Sequence, residues 1–119
     1  MNRNMKQLVT IFLLLIGSVL ASAQEKTPQE KFENDLKRNT ITLYQLGGIV
    51  PKTKTQNDLD FQAKYKVKYY DFGCLAPVNM SFYEDYNLLA LNYLADKYGK
   101  EEIKDIRRDI LGFEKWNKK

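Results

Sequence analysis

The chain's only cysteine, Cys74, lies in the segment Tyr69–Asn79, which has the sequence YYDFGCLAPVN. A reactive thiol needs nearby positive charge or a helix N-terminus to favour the thiolate, but the closest ionisable neighbour in sequence is Asp71. A thioredoxin-like pair would need a second cysteine where CLAP has proline. Because free cysteine is among the most buried residue types, we predict a buried structural thiol at Cys74. The alternatives are a disulfide to a partner and a thiol-dependent enzyme or redox protein.

Other chemistries are excluded by the residues that the sequence lacks. It contains no histidine, so the Ser-His-Asp and Cys-His arrangements that activate a nucleophile cannot form. A zinc site needs several cysteine or histidine ligands, and no EF-hand calcium loop is present. Asp71-Phe72-Gly73 matches the DFG of protein kinases, but the accompanying glycine-rich and catalytic loops are missing. The sequence predicts a protein that is not an enzyme, with no catalytic residue, no metal and no cofactor.

Tyrosine is abundant, with eight in the chain. Its side chain buries a large area and keeps a hydroxyl in water, which suits both recognition surfaces and small cores. Tyr69 and Tyr70 must point to opposite faces if they lie in a strand, so one of the two is expected to be exposed. We predict a binding surface at the turn Tyr69–Val78 and the surface near it, with Tyr69, Tyr70, Asp71 and Cys74 as the binding residues.

The N-terminal segment has the three parts of a secretory signal peptide. Arg3 and Lys6 precede the uncharged run Leu8–Leu20, and small residues follow as far as Ala23. A membrane-spanning helix needs about 20 apolar residues, more than this run supplies. We predict a signal peptide over residues 1–23, cleaved before Gln24, and export to the periplasm or secretion. An uncleaved anchor is the alternative.

The remaining residues, 24–119, predict one small domain with little net charge. Without the two basic residues of the leader they carry 17 basic and 15 acidic residues, a net charge of +2. This balance gives no overall field to attract nucleic acid or acidic lipid. We therefore predict a protein or envelope component as the partner, no nucleic acid, and membrane contact only through an uncleaved leader.

The first half of the domain predicts two helices and two strands. Thr27 and Glu30 form a capping box for a helix from Pro28 to about Arg38. Ile41 and Leu43 then alternate with polar residues as in a strand that Gly47-Gly48 ends. After a polar loop at 51–58, apolar and polar residues alternate as far as Tyr69, which on periodicity alone indicates one long half-buried strand. A helix start at Asn57 and the lack of β-branched residues before Val67 favour instead a short helix from Asp58 to about Tyr65 and a strand at Lys66–Phe72.

The second half predicts two amphipathic helices. Ser81 and Glu84 form another capping box, and a helix Phe82–Tyr98 is predicted with Tyr86, Leu89 and Tyr93 on its apolar face. A final helix is predicted at Lys100–Leu111, ended by Gly112, with Ile103, Ile106 and Ile110 inward and with Phe113 and Trp116 packing back beyond it.

These elements predict a small single α+β domain in which about two strands pack against helices, since two strands alone are marginal in water. An all-α bundle is the alternative.

Three segments of the chain resemble a known group of proteins. YYDFGC, YLADKYGKE and RRDILGFEKW are similar to segments of small exported bacterial proteins that carry a Y-D-F-G-C motif and have no assigned activity. The resemblance spans Phe61 to Trp116. It implies a bacterial periplasmic or secreted setting and nothing about chemistry. The missing catalytic residues favour a non-enzymatic binding module of the envelope or secreted space.

Overall fold

A computed structural model describes residues 26–48 and 53–119. The predicted signal peptide and its cleavage site lie outside the described residues. The elements in chain order are α1 (Pro28–Arg38), β1 (Thr42–Gln45), α2 (Gln56–Tyr65), β2 (Lys68–Asp71), α3 (Met80–Tyr98) and α4 (Phe113–Asn117). This order confirms the α+β class, and the all-α bundle is wrong.

The two strands form a parallel sheet in which Thr42 pairs with Lys68 and Gln45 with Asp71. The amide of Lys68 donates to the carbonyl of Ile41 at 2.9 Å. Parallel strands need a long crossover connection, and here it contains α2. Because the strands run in the same direction, their carboxyl ends lie at the same end of the sheet.

Helix α1 follows the sequence prediction at both ends. The hydroxyl of Thr27 accepts the amide of Glu30 at 3.2 Å, and Asn39 ends the helix in the left-handed conformation, with φ 55°. Its buried residue, Phe32, packs edge to face on Tyr86 of α3 with ring centroids 6.0 Å apart. A local capping signal in the sequence was therefore sufficient to predict this helix.

Helix α2 begins two residues earlier than predicted. Thr55, rather than Asn57, is its N-cap, and Thr55 and Asp58 exchange side-chain and backbone hydrogen bonds in a capping box. Lys66, predicted as the first strand residue, ends the helix with φ 56°. The strand therefore begins at Lys68.

Helix α3 is confirmed, but its start and its buried face differ from the prediction. Asn79 is the N-cap, without a side-chain capping bond, so the predicted box at Ser81 and Glu84 is wrong. Tyr86 is buried as predicted, while Leu89 and Tyr93 are only half-buried. The fully buried positions of the helix are Tyr86, Asn87, Ala90, Leu91 and Leu94.

The predicted helix at Lys100–Leu111 does not form, and residues 100–109 are a series of turns and bends. Two backbone amides that a helix would use internally bond to distant partners instead. The amide of Arg107 donates to the hydroxyl of Tyr69 at 3.2 Å, and that of Leu111 donates to the carbonyl of Tyr44 at 2.9 Å.

The burial predicted for this C-terminal segment is nevertheless confirmed, because the inward isoleucines contact the core without a helix. Gly112 caps the start of α4 rather than ending a helix. The buried residues of the segment are Ile103, Ile106, Ile110, Phe113 and Trp116.

The edge of β1 that faces away from β2 is closed by side chains of α3 and by the backbone of the C-terminal segment, where Gln45 forms an antiparallel bridge with Ile110. The amide of Tyr44 donates to Asn87 Oδ1 at 3.0 Å, and Asn87 Nδ2 donates to the carbonyls of Tyr44 at 2.8 Å and Leu111 at 2.9 Å. The amide of Thr42 donates to the hydroxyl of Tyr86 at 3.2 Å. Asn87 is fully buried and, together with the amide of Leu111, it satisfies the backbone groups of Tyr44 that a neighbouring strand would otherwise pair.

The hydroxyl of Tyr86 links this edge to α1. It donates to Asp35 Oδ2 at 2.7 Å, and the ammonium of Lys31 lies 2.9 Å from the same oxygen. Burial opposes ionisation of Asp35, but the hydrogen bonds from Tyr86 and Lys31 outweigh it and hold the pKa of this carboxyl below its ordinary value of 3.8.

Replacing Asn87 with alanine should lower the free energy of unfolding by about 3 kcal/mol, since three buried hydrogen bonds are lost at about 1 kcal/mol each. Urea unfolding followed by circular dichroism measures this. The matched control is Asn92→Ala on the same helix. Asn92 is exposed and accepts one bond, from Trp116 Nε1 at 3.1 Å, so the expected loss is about 1 kcal/mol. Equal losses for the two variants would contradict the role given to Asn87.

Asp35 should contribute to the acid sensitivity of the fold. Because its pKa is lower in the folded chain than in the unfolded chain, the stabilisation is complete above pH about 4 and is lost as pH falls through the folded pKa. Asp35→Asn should lower the free energy of unfolding by about 1 to 2 kcal/mol at pH 7. The free energy of unfolding should also decrease less steeply with falling pH in this variant than in the wild type. Denaturant titrations from pH 7 to pH 2 test this. The control Asp96→Asn, at an exposed position of α3, should keep the wild-type slope, and an unchanged slope for Asp35→Asn would refute the prediction.

Candidate binding surface

The two tyrosines of β2 point to opposite faces, as predicted. Tyr69 is buried, with 4% of its side chain exposed, whereas Tyr70 is 50% exposed. Tyr70 is therefore available to a partner. Tyr69 was also predicted as a binding residue, but its side chain lies in the core and we remove it from the surface.

Tyr69 belongs to a polar network beneath the sheet. Its hydroxyl accepts the amide of Arg107, whose guanidinium bonds to Asp58 at 2.6 Å and to Asp109 at 2.6 and 2.9 Å. Burial raises the pKa of the Tyr69 hydroxyl, and the hydrogen bonds to Asp109 raise that of Arg107. The network fixes the turns before α4 against α2, which is a structural role.

Asp71 shapes the turn that leaves β2. Its Oδ1 accepts the amide of Gly73 at 2.7 Å, and its Oδ2 accepts Gln45 Nε2 at 3.4 Å. Asp71 was predicted as a binding residue. The structure shows that Asp71, which is half-buried, positions this turn through both carboxylate oxygens, and its binding role stays a prediction.

Four aromatic side chains form a contiguous cluster beside this turn, which we call the aromatic cluster: Tyr44, Tyr70, Phe72 and Tyr83. Buried Tyr44 contacts the other three rings, with centroids 5.8 Å from Tyr70, 5.5 Å from Phe72 and 4.6 Å from Tyr83. Phe72 also contacts Tyr70 at 5.1 Å and Tyr83 at 4.9 Å. The cluster joins both strands to the first turn of α3.

Residues 73–79, which we call the apolar loop, leave this cluster at Phe72 and return to it in α3. Leu75 and Val78 are 80% and 107% exposed, which makes them the most exposed large hydrophobic residues of the described chain. Cys74, which lies between Gly73 and Leu75, is also exposed. The prediction of a buried thiol at Cys74 is wrong, because the loop that carries it projects away from the core.

The predicted turn Tyr69–Val78 includes Leu75 and Val78, but neither was singled out as a binding residue, and the contacts of Phe72 and Tyr83 beside the turn were not predicted. The available signal was the absence of charge from residue 72 to residue 83 in a chain of which 29% is charged. Most of this uncharged segment precedes the helix that starts near its end, and an uncharged loop of that length is unusual on a surface. A groove beside it is lined by Lys26, Lys31, Asn79, Phe82 and Tyr83.

Two further properties concern the part of the chain that the structure describes. Within residues 26–48 and 53–119, no group of three or more cysteine, aspartate or glutamate side chains is arranged to hold a metal ion. No helix in these ranges has both the length and the apolar character that crossing a bilayer requires.

Comparisons of the chain with protein families, with curated proteins and with solved structures gave no match. The resemblance to proteins with a Y-D-F-G-C motif therefore remains a prediction.

The close contact between the loop after β1 and the turn after β2 should make Gly47 sensitive to substitution. A methyl group on Gly47 would overlap the carboxylate of Asp71 and lie 2.7 Å from the Cα of Gly73, whereas one on Gly48 meets nothing within 4 Å. Gly47→Ala should lower the free energy of unfolding by about 1 to 3 kcal/mol and shift the amide resonances of Asp71 and Gly73.

The matched variant Gly48→Ala should stay within about 0.5 kcal/mol of the wild type. Urea unfolding and ¹H–¹⁵N correlation spectra measure both variants. The account of this turn would be contradicted if Gly47→Ala left the spectrum around Gly73 unchanged.

Proposed function

We propose that this protein is an exported, non-enzymatic binding module that recognises a protein or envelope component through the apolar loop and the adjoining Tyr70. The observation that carries this proposal is the exposure of Leu75 and Val78 on a loop that is anchored at both ends to the aromatic cluster. Export is supported by the signal-peptide pattern of the sequence.

The physical support is the apolar surface left in water. Removing such surface from water on association is favourable by about 25 cal/mol per Å². Exposed hydrophobic patches on small proteins commonly mark interaction sites. Leu75 and Val78 are close enough in sequence to act together, and half-exposed Tyr70 contacts Phe72, from which the loop starts.

The anchoring of the loop adds to the proposal. A binding loop loses less conformational entropy on association when its ends are already fixed. Here the Asp71 turn fixes one end, and the amide of Phe82, which donates to the carbonyl of Asn79 at 3.0 Å, fixes the other. The tip of the loop can therefore contact a partner while the base of the loop stays fixed to the domain.

The exposure of Cys74 favours a second candidate, a thiol-dependent enzyme or redox protein, and it also permits a disulfide to a partner. Alkylation kinetics separate these readings. A catalytic thiolate should react with iodoacetamide at pH 6 much faster than the urea-unfolded chain does, because an ordinary thiol ionises only near pH 8.5. The binding-module proposal predicts similar rates for the native and unfolded chains.

Site-specific crosslinking in the producing cell tests the proposal. A photoreactive benzoylphenylalanine at Leu75 should form a covalent adduct, whereas the same group at exposed Lys104 should not. Mass spectrometry of the adduct also reports where the N-terminus was cleaved, and non-reducing gels report any disulfide at Cys74. Adduct yields from Leu75 that do not exceed those from Lys104 would defeat the proposal.

A further inference from the structure

The tip of the apolar loop offers shape and hydrophobicity but no directional chemistry. Between Cys74 and Asn79 the sequence is Leu75-Ala76-Pro77-Val78, which has no side chain that donates or accepts a hydrogen bond. All four residues except half-buried Pro77 are exposed. Protein interfaces usually combine an apolar centre with hydrogen bonds, whereas the hydrocarbon of a lipid layer requires none.

Aromatic side chains surround the base of the loop. Phe72 contacts both Tyr70 and Tyr83 within the aromatic cluster, and the ring of Phe82 lies 5.3 Å from that of Tyr83. Aromatic rings with a polar atom at one end are enriched at the level of lipid headgroups. The residues that carry these rings flank the loop in sequence, at 70 and 72 before it and at 82 and 83 after it.

Positive charge lies next to these rings. The groove beside Phe82 and Tyr83 is also lined by exposed Lys26 and part-exposed Lys31. Asp35 offsets the charge of Lys31, with which it forms an ion pair at 2.9 Å. Lys26 is therefore the better placed of the two to attract an anionic headgroup.

We infer that the apolar loop docks this protein on a lipid surface, with Leu75 and Val78 entering the boundary between headgroups and acyl chains. The order of apolar tip, aromatic base and lysine follows the order of hydrocarbon, headgroup level and phosphate charge in a bilayer. This inference rests on the proposed function and names its envelope component as lipid. It also revises the prediction that only an uncleaved leader touches the membrane. A local patch of apolar side chains and lysine can bind lipid even when the net charge of the whole domain is low.

The backbone limits how far the loop can enter. Unpaired amides and carbonyls cannot lie in the hydrocarbon core, so the peptide groups of residues 73–79 should remain among hydrated headgroups. Only the side chains of Leu75 and Val78 then reach the acyl chains, at the shallow depth of about 5 to 10 Å that is typical of interfacial segments. Reversible binding is expected rather than permanent insertion.

The position of Cys74 makes the inference directly measurable. It is the only cysteine of the chain and is exposed in the loop, so a nitrobenzoxadiazole group attached there reports the polarity around the tip. The chain to use is 24–119, which lacks the apolar leader but contains every described helix and strand and all core residues. Circular dichroism establishes that each variant is folded.

Vesicles of phosphatidylethanolamine with phosphatidylglycerol should shift the label's emission to the blue and increase its intensity. Spin-labelled lipids with the quencher near the headgroup should quench the label more than those with the quencher deep in the chain. Leu75→Asp combined with Val78→Asp should lower the partition coefficient of unlabelled protein, measured by co-sedimentation, about tenfold or more. Lys26→Ala should lower it about fivefold, and only on the anionic vesicles.

The matched control carries the label at Lys104→Cys in a Cys74→Ser background and should keep its emission in water. The inference is overturned if the vesicles are not bound, or if binding persists unchanged in the double aspartate variant. Photocrosslinking from Leu75 to a protein in cells, without binding to vesicles, would overturn the lipid inference and leave the binding-module proposal intact. If Leu75 gives no protein adduct and the vesicles are not bound, both the lipid inference and the binding-module proposal are overturned.

Discussion

The fold depends on closing the outer edge of β1. A strand at the border of a two-stranded sheet would leave the amide and carbonyl of Tyr44 unpaired in the core, which costs free energy comparable to lost hydrogen bonds. Asn87 satisfies these groups from α3, and Leu111 adds a further bond to the same carbonyl. A single amide side chain thereby binds the sheet, the long helix and the C-terminal segment together, so the small sheet gains the support that two strands alone would lack.

This constraint also determines where a partner can be met. Because the strands are parallel and α3 is fixed to β1, the ends of both strands and the start of α3 lie together, and the aromatic cluster fills the space between them. The apolar loop spans from β2 to α3 at this point and has few contacts of its own. The same packing thus gives the apolar loop a rigid base and an exposed tip. The proposed lipid contact needs both, because the base holds the loop in place and the tip contacts the lipid.

Local signals in the sequence predicted local structure well. The cap at Thr27, the alternation in β2 and the burial of the C-terminal isoleucines all depend on neighbours a few residues away. The helix predicted at Lys100–Leu111 failed because the amides of Arg107 and Leu111 bond to residues of the two strands, far away in sequence. Periodicity identified the buried side chains there but could not identify the backbone's partners. Asn87 was missed for a similar reason, although an asparagine within an apolar helix is an uncommon choice.

Site-resolved amide hydrogen exchange on the folded protein is the most direct test of this account. The amides of Thr42 and Tyr44, whose acceptors are side chains of α3, should be protected almost to the level of global unfolding, while those of Cys74, Leu75, Ala76 and Val78 should exchange close to the rate of an unfolded chain. If Tyr44 exchanged as fast as the loop, β1 would have an open edge and the central claim would be wrong.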